Sequence, residues 1–202
     1  MLLFLFSVIG ISFSGVLMPG PMFAVTVTRG YRSPYAGTLT ALGHAVVEIP
    51  LMLVIYFGLA TFFEIEGVKI GLGIVGGLGL LYLGTSMFRA RVGVVEGIGD
   101  LPYNSVVAGI ATSVFNPYFL LWWATIGASL VMSASAFGIT GLALFAVVHL
   151  FCDFAWLTLV SAVVYKTGHL WNRWVHITVF TVCSLLLIGF GVWFITAAIL
   201  QI

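Results

Sequence analysis

The sequence predicts an all-α integral membrane protein with six transmembrane helices. Hydrophobic residues make up 62% of the 202-residue chain and charged residues only 6%, whereas a soluble domain has about 25% charged residues. Crossing a bilayer takes about 20 mostly apolar residues in a helix, and apolar stretches of this length recur along the whole chain. The fold class therefore follows from composition and segment length together.

Charges and turn residues divide the chain into its spans. We predict spans at residues 2–27, 36–62, 69–88, 105–131, 138–164 and 175–200. The stretch 101–165 is too long for one crossing, so we divide it at the small and polar residues 133–138. The first span lacks the basic start and the cleavage site of a signal peptide, so we expect it to remain as a membrane helix. We treat residues 1–202 as one transmembrane domain.

The basic residues predict the orientation in the cell membrane. Six of the seven Lys and Arg residues follow spans one, three and five: Arg29, Arg32, Arg89, Arg91, Lys166 and Arg173. Only Lys69 lies on the other side. Because cytoplasmic loops are enriched in Lys and Arg, both termini are predicted to lie outside.

The third span is rich in glycine. The pairs Gly67/Gly71 and Gly73/Gly77 have the small-xxx-small spacing that lets two helix backbones approach closely. We expect these faces to pack against other helices, and one of them offers a possible homodimer contact. The following tryptophans are expected to anchor the chain at the membrane interface or to pack between helices: Trp122, Trp123, Trp171, Trp174 and Trp193.

Two histidine–carboxylate pairs lie inside apolar spans. His44 and Glu48 are in span two, and His149 and Asp153 are in span five. The i, i+4 spacing places both members of a pair on one helix face. A charge near the bilayer centre costs about 2.5–3.5 kcal/mol on insertion scales, which makes intramembrane ionisable groups candidates for a functional site.

Each pair follows a proline motif, which indicates an internal repeat. Pro19-Gly20-Pro21 precedes the first pair, and Asn116-Pro117 precedes the second. Repeat one would cover about 1–90 and repeat two about 101–202. Since each repeat has three spans, an odd number, the two repeats would have inverted topology, with the binding site between them near mid-depth.

The prolines predict helix breaks. Proline has no N–H and frees the carbonyl four residues earlier, which is tolerated in a bilayer where that carbonyl faces protein or a wet cavity. Broken helices also expose terminal N–H groups that favour an anionic ligand. The candidate break or gating residues are Pro19, Gly20, Pro21, Pro50, Asn116 and Pro117.

These motifs resemble the LysE/RhtB superfamily of six-span exporters over nearly the whole chain. The resembling features are Pro19-Gly20-Pro21, the glycines Gly30, Gly37, Gly43 and Gly58, Gly84 before Arg89, and Asn116-Pro117. The resemblance implies export of amino acids or related small solutes from the cytoplasm, driven by a proton or ion gradient. His44 and Tyr118 stand where amino-acid exporters of the superfamily often have an acidic and a basic residue, so lysine is not carried over as the substrate.

Two functions and one structural role remain open for the four polar residues. In coupled export, Glu48 and Asp153 would exchange protons, with His44 and His149 as partners or relays. In divalent-metal export, the two imidazoles and two carboxylates would ligate Zn²⁺, Mn²⁺ or Fe²⁺ as cargo. Alternatively, each histidine only satisfies the carboxylate on its own helix and stabilises helix packing.

Other classes lack their motifs. The chain has no His-Glu-x-x-His, no Gly-x-Ser-x-Gly and no phosphate-binding G-x-x-x-x-G-K-[ST], so neither an enzyme nor an ATP-driven pump is expected. Cys152 and Cys183 do not form a Cys-x-x-Cys motif and are expected to be buried apolar residues. We expect no cofactor and no nucleic-acid partner; the partners are a small solute and membrane lipid.

Overall fold

The computed structural model describes residues 1–17, 20–58, 65–95, 102–168, 170 and 172–200. These residues form helices and connecting turns, with no strand among them. The helices are α1 (Leu2–Val16), α2 (Pro21–Gly30), α3 (Ala36–Tyr56), α4 (Glu66–Val95), α5 (Ser105–Val114), α6 (Pro117–Trp122), α7 (Ala128–Ser135), α8 (Gly138–Gly168) and α9 (Arg173–Leu200). A π-helical turn, Trp123–Gly127, joins α6 to α7.

Four of the described helices are long and apolar enough to cross a membrane: α3, α4, α8 and α9. They coincide with the second, third, fifth and sixth predicted spans. The turn predicted at residues 133–138 is confirmed, because α7 ends at Ser135 and Gly138 takes a positive φ of 68° where α8 begins. The chain is thus a multi-pass membrane-embedded protein.

The first and fourth predicted spans are each interrupted. α1 ends at Val16 and α2 begins at Pro21, and α5 ends at Val114 and α6 begins at Pro117. The residues before the two prolines, Gly20 and Asn116, have extended backbones. Proline favours the first position of a helix because the N–H it lacks would have no helical partner there. Pro19 lies outside the described residues.

Two of the expected proline effects are wrong. Pro50 does not break α3, which continues from Ala36 to Tyr56. Both Pro50 and Val46, whose carbonyl the proline ring faces, are exposed on the outer surface of the helix, and an isolated proline is tolerated in a membrane helix through local adjustment. The carbonyl of Ser113, expected to be free because of Pro117, accepts a hydrogen bond of 3.3 Å from the Asn116 N–H.

Helix α3 packs tightly against α5 through two glycines. A Cβ at Gly43 would collide with the carbonyl oxygen of Val106, and a Cβ at Gly109 would collide with that of Thr40. Because each glycine lies against backbone of the other helix, the two axes approach as closely as small residues permit. This contact places residues 40–44 of α3 beside residues 106–110 of α5.

Helix α3 also lies against α8 in antiparallel orientation. Near one end, the hydroxyls of Thr38 and Thr158 form a hydrogen bond of 2.8 Å. Nearly three helical turns further along α3, Glu48 meets His149, which comes earlier in α8. The two helices that carry the polar pairs therefore face each other.

Helices α4 and α9 form a second antiparallel pair. A Cβ at Gly73 would meet Ala198 at 2.6 Å, and a Cβ at Gly77 would meet the carbonyl oxygen of Gly191 at the same distance. The predicted packing role of span three is confirmed at Gly73 and Gly77. At Gly67 and Gly71 an added Cβ would meet nothing within 4 Å, so within the described part of the chain no helix packs on this face, and the homodimer contact stays a prediction.

Candidate functional site

The two polar pairs line one cavity of about 330 Å³. The wall comes from α1, α2, α3, α6, α8 and α9, together with the break before α2, the break before α6 and the π-helical turn. Its polar side chains are Ser12, His44, Glu48, Asn116, Trp122, Trp123, His149, Asp153 and Trp193. Gly20 and Pro21 also line it, so both interrupted spans meet the cavity at their breaks.

Glu48 is the centre of the cluster. One of its oxygens, Oε1, lies 3.1 Å from His44 Nε2 and 3.2 Å from His149 Nε2. The same oxygen accepts a hydrogen bond of 3.2 Å from the indole N–H of Trp123. Three nitrogens from α3, α8 and the π-helical turn therefore converge on a single carboxylate oxygen.

Asp153 occupies the matching position in the second pair but has different contacts. Its Oδ2 lies 3.8 Å from His149 Nε2, which is beyond hydrogen-bond distance. Asp153 Oδ2 and Glu48 Oε2 are both buried without a hydrogen-bond partner. The two halves carry matching pairs in sequence, but their contacts differ. Both histidines contact Glu48, the carboxylate of the first half.

Two serines hold the outer nitrogens of the histidines. Ser113 Oγ lies 2.7 Å from His44 Nδ1, and Ser12 Oγ lies 2.7 Å from His149 Nδ1. Ser113 is in α5 and Ser12 is in α1, so each serine reaches the ring from the other half of the chain. These contacts fix the plane of both imidazoles and point each Nε2 at Glu48.

The π-helical turn positions Trp123. Its side chain is 1% exposed, which excludes the interfacial anchor role that sequence reasoning allowed for it. A π-helical turn widens the helix by one residue and is frequent at functional sites. Here it lies directly after the break at Asn116 and carries the indole N–H to Glu48.

All four ionisable side chains are buried, with exposed fractions between 1% and 5%. A lone buried ion costs several kcal/mol, and that cost is offset only when an opposite charge and hydrogen bonds are supplied in good geometry. Two imidazolium ions and two carboxylates would sum to zero charge. A charge held in this cluster therefore has to be balanced by an opposite charge beside it.

Three of the four residues also bring potential cation ligands close together. His44, Glu48 and Asp153 each offer one ligand atom, and these atoms lie within 4.8 Å of one another. One imidazole nitrogen and two carboxylate oxygens form a mixed donor set that Zn²⁺ and Mn²⁺ accept. These donor types suit a divalent cation as well as a proton.

The remaining sequence-predicted residues are the six candidate break or gating residues. Gly20, Pro21 and Asn116 line the cavity. Pro50 is exposed on α3 and does not line it. Pro117 begins α6 beside the cavity, its side chain being outside the described part, and Pro19 is outside it altogether.

A family comparison agrees with this architecture. A model of the family described as LysE type translocator matches residues 13–198, which is nearly the whole chain. The chain belongs to the LysE type translocator family. Comparison with curated proteins and comparison with solved structures gave no match. As a LysE type translocator, the protein is a membrane transporter of small solutes, and the cavity between its two halves is the candidate place for such a solute.

Proposed function

We propose that this translocator is a secondary-active exporter of amino acids or related small solutes, coupled to a proton or ion gradient. The observation that carries the proposal is the meeting of two buried histidine–carboxylate pairs, one from each half of the chain, in a single cavity. A volume of about 330 Å³ lies within the range of about 300–1,000 Å³ that is usual for small-molecule sites.

The described contacts support six spans in two inverted repeats. α1 with α2 would form the first crossing, and α5 with α6, the π-helical turn and α7 would form the fourth. The other corresponding helices pair antiparallel, α3 with α8 and α4 with α9, as inverted three-span repeats require. Interrupted first helices at the repeat interface are a recurring design of secondary transporters.

The cavity has complementary surfaces for an amino acid. An ammonium group would meet the carboxylates of Glu48 and Asp153. Apolar parts of the solute would lie against aromatic rings such as Phe119, Phe190 and Trp193. A solute carboxylate would face the amino end of α2, whose first residues line the same cavity.

Coupling follows from competition within the cluster. A carboxyl group that holds a proton is cheap to bury and attracts an ammonium ion weakly. After the proton leaves, the carboxylate attracts the ammonium strongly in a medium of low dielectric constant. Export of a substrate cation and import of a proton would therefore use one set of charges in alternation.

Divalent-metal export is the second candidate function. It is favoured by the ligand atoms of His44, Glu48 and Asp153, which lie within 4.8 Å of one another. In this case the metal would be the cargo, and the same carboxylates would balance its positive charge.

Reconstituted vesicles separate the two functions. Purified protein in liposomes is expected to exchange labelled amino acids, faster under an imposed pH gradient, and Glu48→Gln is expected to reduce exchange at least tenfold. Glu66→Gln is the matched control because Glu66 is exposed in the first turn of α4. Transport of Zn²⁺ or Mn²⁺ without any amino acid would support the second function. Transport of neither class, in protein that remains folded, would contradict both.

A further inference from the structure

Ser113 has two hydrogen-bond contacts and one proton to share between them. Its hydroxyl lies 2.7 Å from the carbonyl oxygen of Gly109, one turn earlier in α5, and 2.7 Å from His44 Nδ1. A carbonyl oxygen only accepts, so the serine proton is used for Gly109. The serine oxygen must then accept a hydrogen bond from the histidine, and His44 Nδ1 must carry a hydrogen.

We infer that Ser113 is a positioning residue that fixes the tautomer of His44. The inference rests on the proposed function for its transport consequence and on hydrogen-bond geometry for everything else. With Nδ1 committed to Ser113, the ring presents Nε2 alone to Glu48, at 3.1 Å. Ser113 itself is fully buried, so water does not compete for either hydrogen bond.

With this tautomer fixed, the proton shared by His44 and Glu48 can move only between His44 Nε2 and Glu48 Oε1. With the proton on Nε2, the pair is an imidazolium ion and a carboxylate. When the proton moves to Oε1, the N–H bond breaks, the O–H bond forms, and the pair becomes a neutral imidazole and a carboxylic acid. The opposite tautomer would give Ser113 an unprotonated Nδ1 that its occupied hydroxyl cannot satisfy, and an unsatisfied nitrogen is unfavourable at a buried site.

The corresponding contact at the second histidine does not fix a tautomer. Ser12 Oγ lies 2.7 Å from His149 Nδ1, and either of these two atoms can be the donor. At Ser113 the contact with Gly109 removes this ambiguity. The His44 ring also contacts Phe119 edge-on, with 5.0 Å between the ring centroids. This contact does not depend on which nitrogen carries the proton.

The tautomer can be read directly by ¹⁵N NMR of histidine-labelled protein in lipid bilayers, with the His44 signals assigned by their loss in His44→Gln. Wild-type protein is expected to show a protonated Nδ1 at His44. In Ser113→Ala we expect the Nδ1-protonated signal to fall to half or less of the neutral population. Ser113→Thr retains the hydroxyl and is expected to restore it. Ser184→Ala is the matched control, since the Ser184 hydroxyl is equally buried and donates to the Phe180 carbonyl at 2.6 Å.

Transport supplies the second readout. Ser113→Ala is expected to lower kcat in the vesicle assay about fivefold or more and to change its pH profile, with Ser184→Ala unchanged. A wild-type His44 whose Nδ1 lacks a hydrogen would overturn the inference without any variant, and so would a Ser113→Ala spectrum identical to that of the wild type. If wild-type protein moves neither solute class, the proposed function fails while the NMR result still decides the inference.

Discussion

Among the described contacts of Glu48 Oε1, the one unambiguous N–H comes from a tryptophan. The Trp123 indole can donate and cannot accept, so its hydrogen bond of 3.2 Å favours a negative charge on Oε1. The two histidine contacts at the same oxygen can be made with the proton on either partner. Trp123 therefore biases the cluster towards the ionised carboxylate that a substrate cation requires.

Replacing this donor is expected to impair transport. A hydrogen bond to a charged group contributes about 1.5–3 kcal/mol, so Trp123→Phe should lower kcat/KM at least tenfold in the vesicle assay. Trp156→Phe is the matched control because it makes the same change of ring at an indole N–H that is buried without a hydrogen-bond partner. Equal losses in the two variants would assign the effect of Trp123 to packing alone.

At the scale of helices, the site depends on two interrupted spans and on close contact at glycines. The break before α2 and the break before α6 bring backbone to the cavity wall, and Gly43 and Gly109 bring α5 near enough for Ser113 to reach His44. A bulkier residue at Gly43 would separate α3 from α5 and lengthen that hydrogen bond.

Gly43→Ala tests this coupling between packing and site. Its Cβ would collide with the backbone of Val106, and backbone yields less easily than a side chain. Overpacking of this kind costs about 1–3 kcal/mol, which corresponds to a fall in melting temperature of about 2–12 °C in detergent for a chain of this size. Gly10→Ala, at a helical glycine where an added Cβ meets nothing within 4 Å, is expected to melt like the wild type. A wild-type melting temperature for Gly43→Ala would show that α3 and α5 can separate at no cost.

Sequence patterns predicted the structural features that depend on residues close together in the chain. Hydropathy located α3, α4, α8 and α9, the i, i+4 spacing selected the four ionisable residues, and small residues marked the turn before Gly138. Proline was less reliable: helices begin at Pro21 and Pro117, whereas Pro50 lies within an unbroken helix. A proline pattern does not distinguish a broken helix from a continuous one, because the outcome depends on what surrounds the released carbonyl.

The partners of the four residues were not predicted, because their contacts join distant positions. Ser12 lies 137 residues from His149 and Ser113 lies 69 residues from His44. Within their own helices both serines look like ordinary small polar residues. Trp123 follows another tryptophan near a predicted bend, a pattern that equally fits packing. Only the relative placement of the two halves shows that the serines contact the histidines and that Trp123 contacts Glu48.

For the whole molecule, the basic residues mark one end of the bundle. Arg29, at the end of α2, donates a hydrogen bond of 3.4 Å to Ser105, at the start of α5. Gly30 lies against Ser161 and Val164, near the end of α8. The connections after the first, third and fifth predicted spans therefore meet at the same end, which fits the predicted cytoplasmic side.

Labelling with a membrane-impermeant thiol reagent tests that orientation. We expect Ser33→Cys, between α2 and α3, to react only when the cytoplasmic face is exposed, as in inverted vesicles. Phe137→Cys, in the exposed turn between α7 and α8, should react only from the outer face of intact cells. Cys152 and Cys183 are buried, so the protein without an added cysteine gives a low background and serves as the control. Reaction of both positions from the same face would contradict six crossings in two inverted halves, since Ser33 and Phe137 are separated by an odd number of predicted spans.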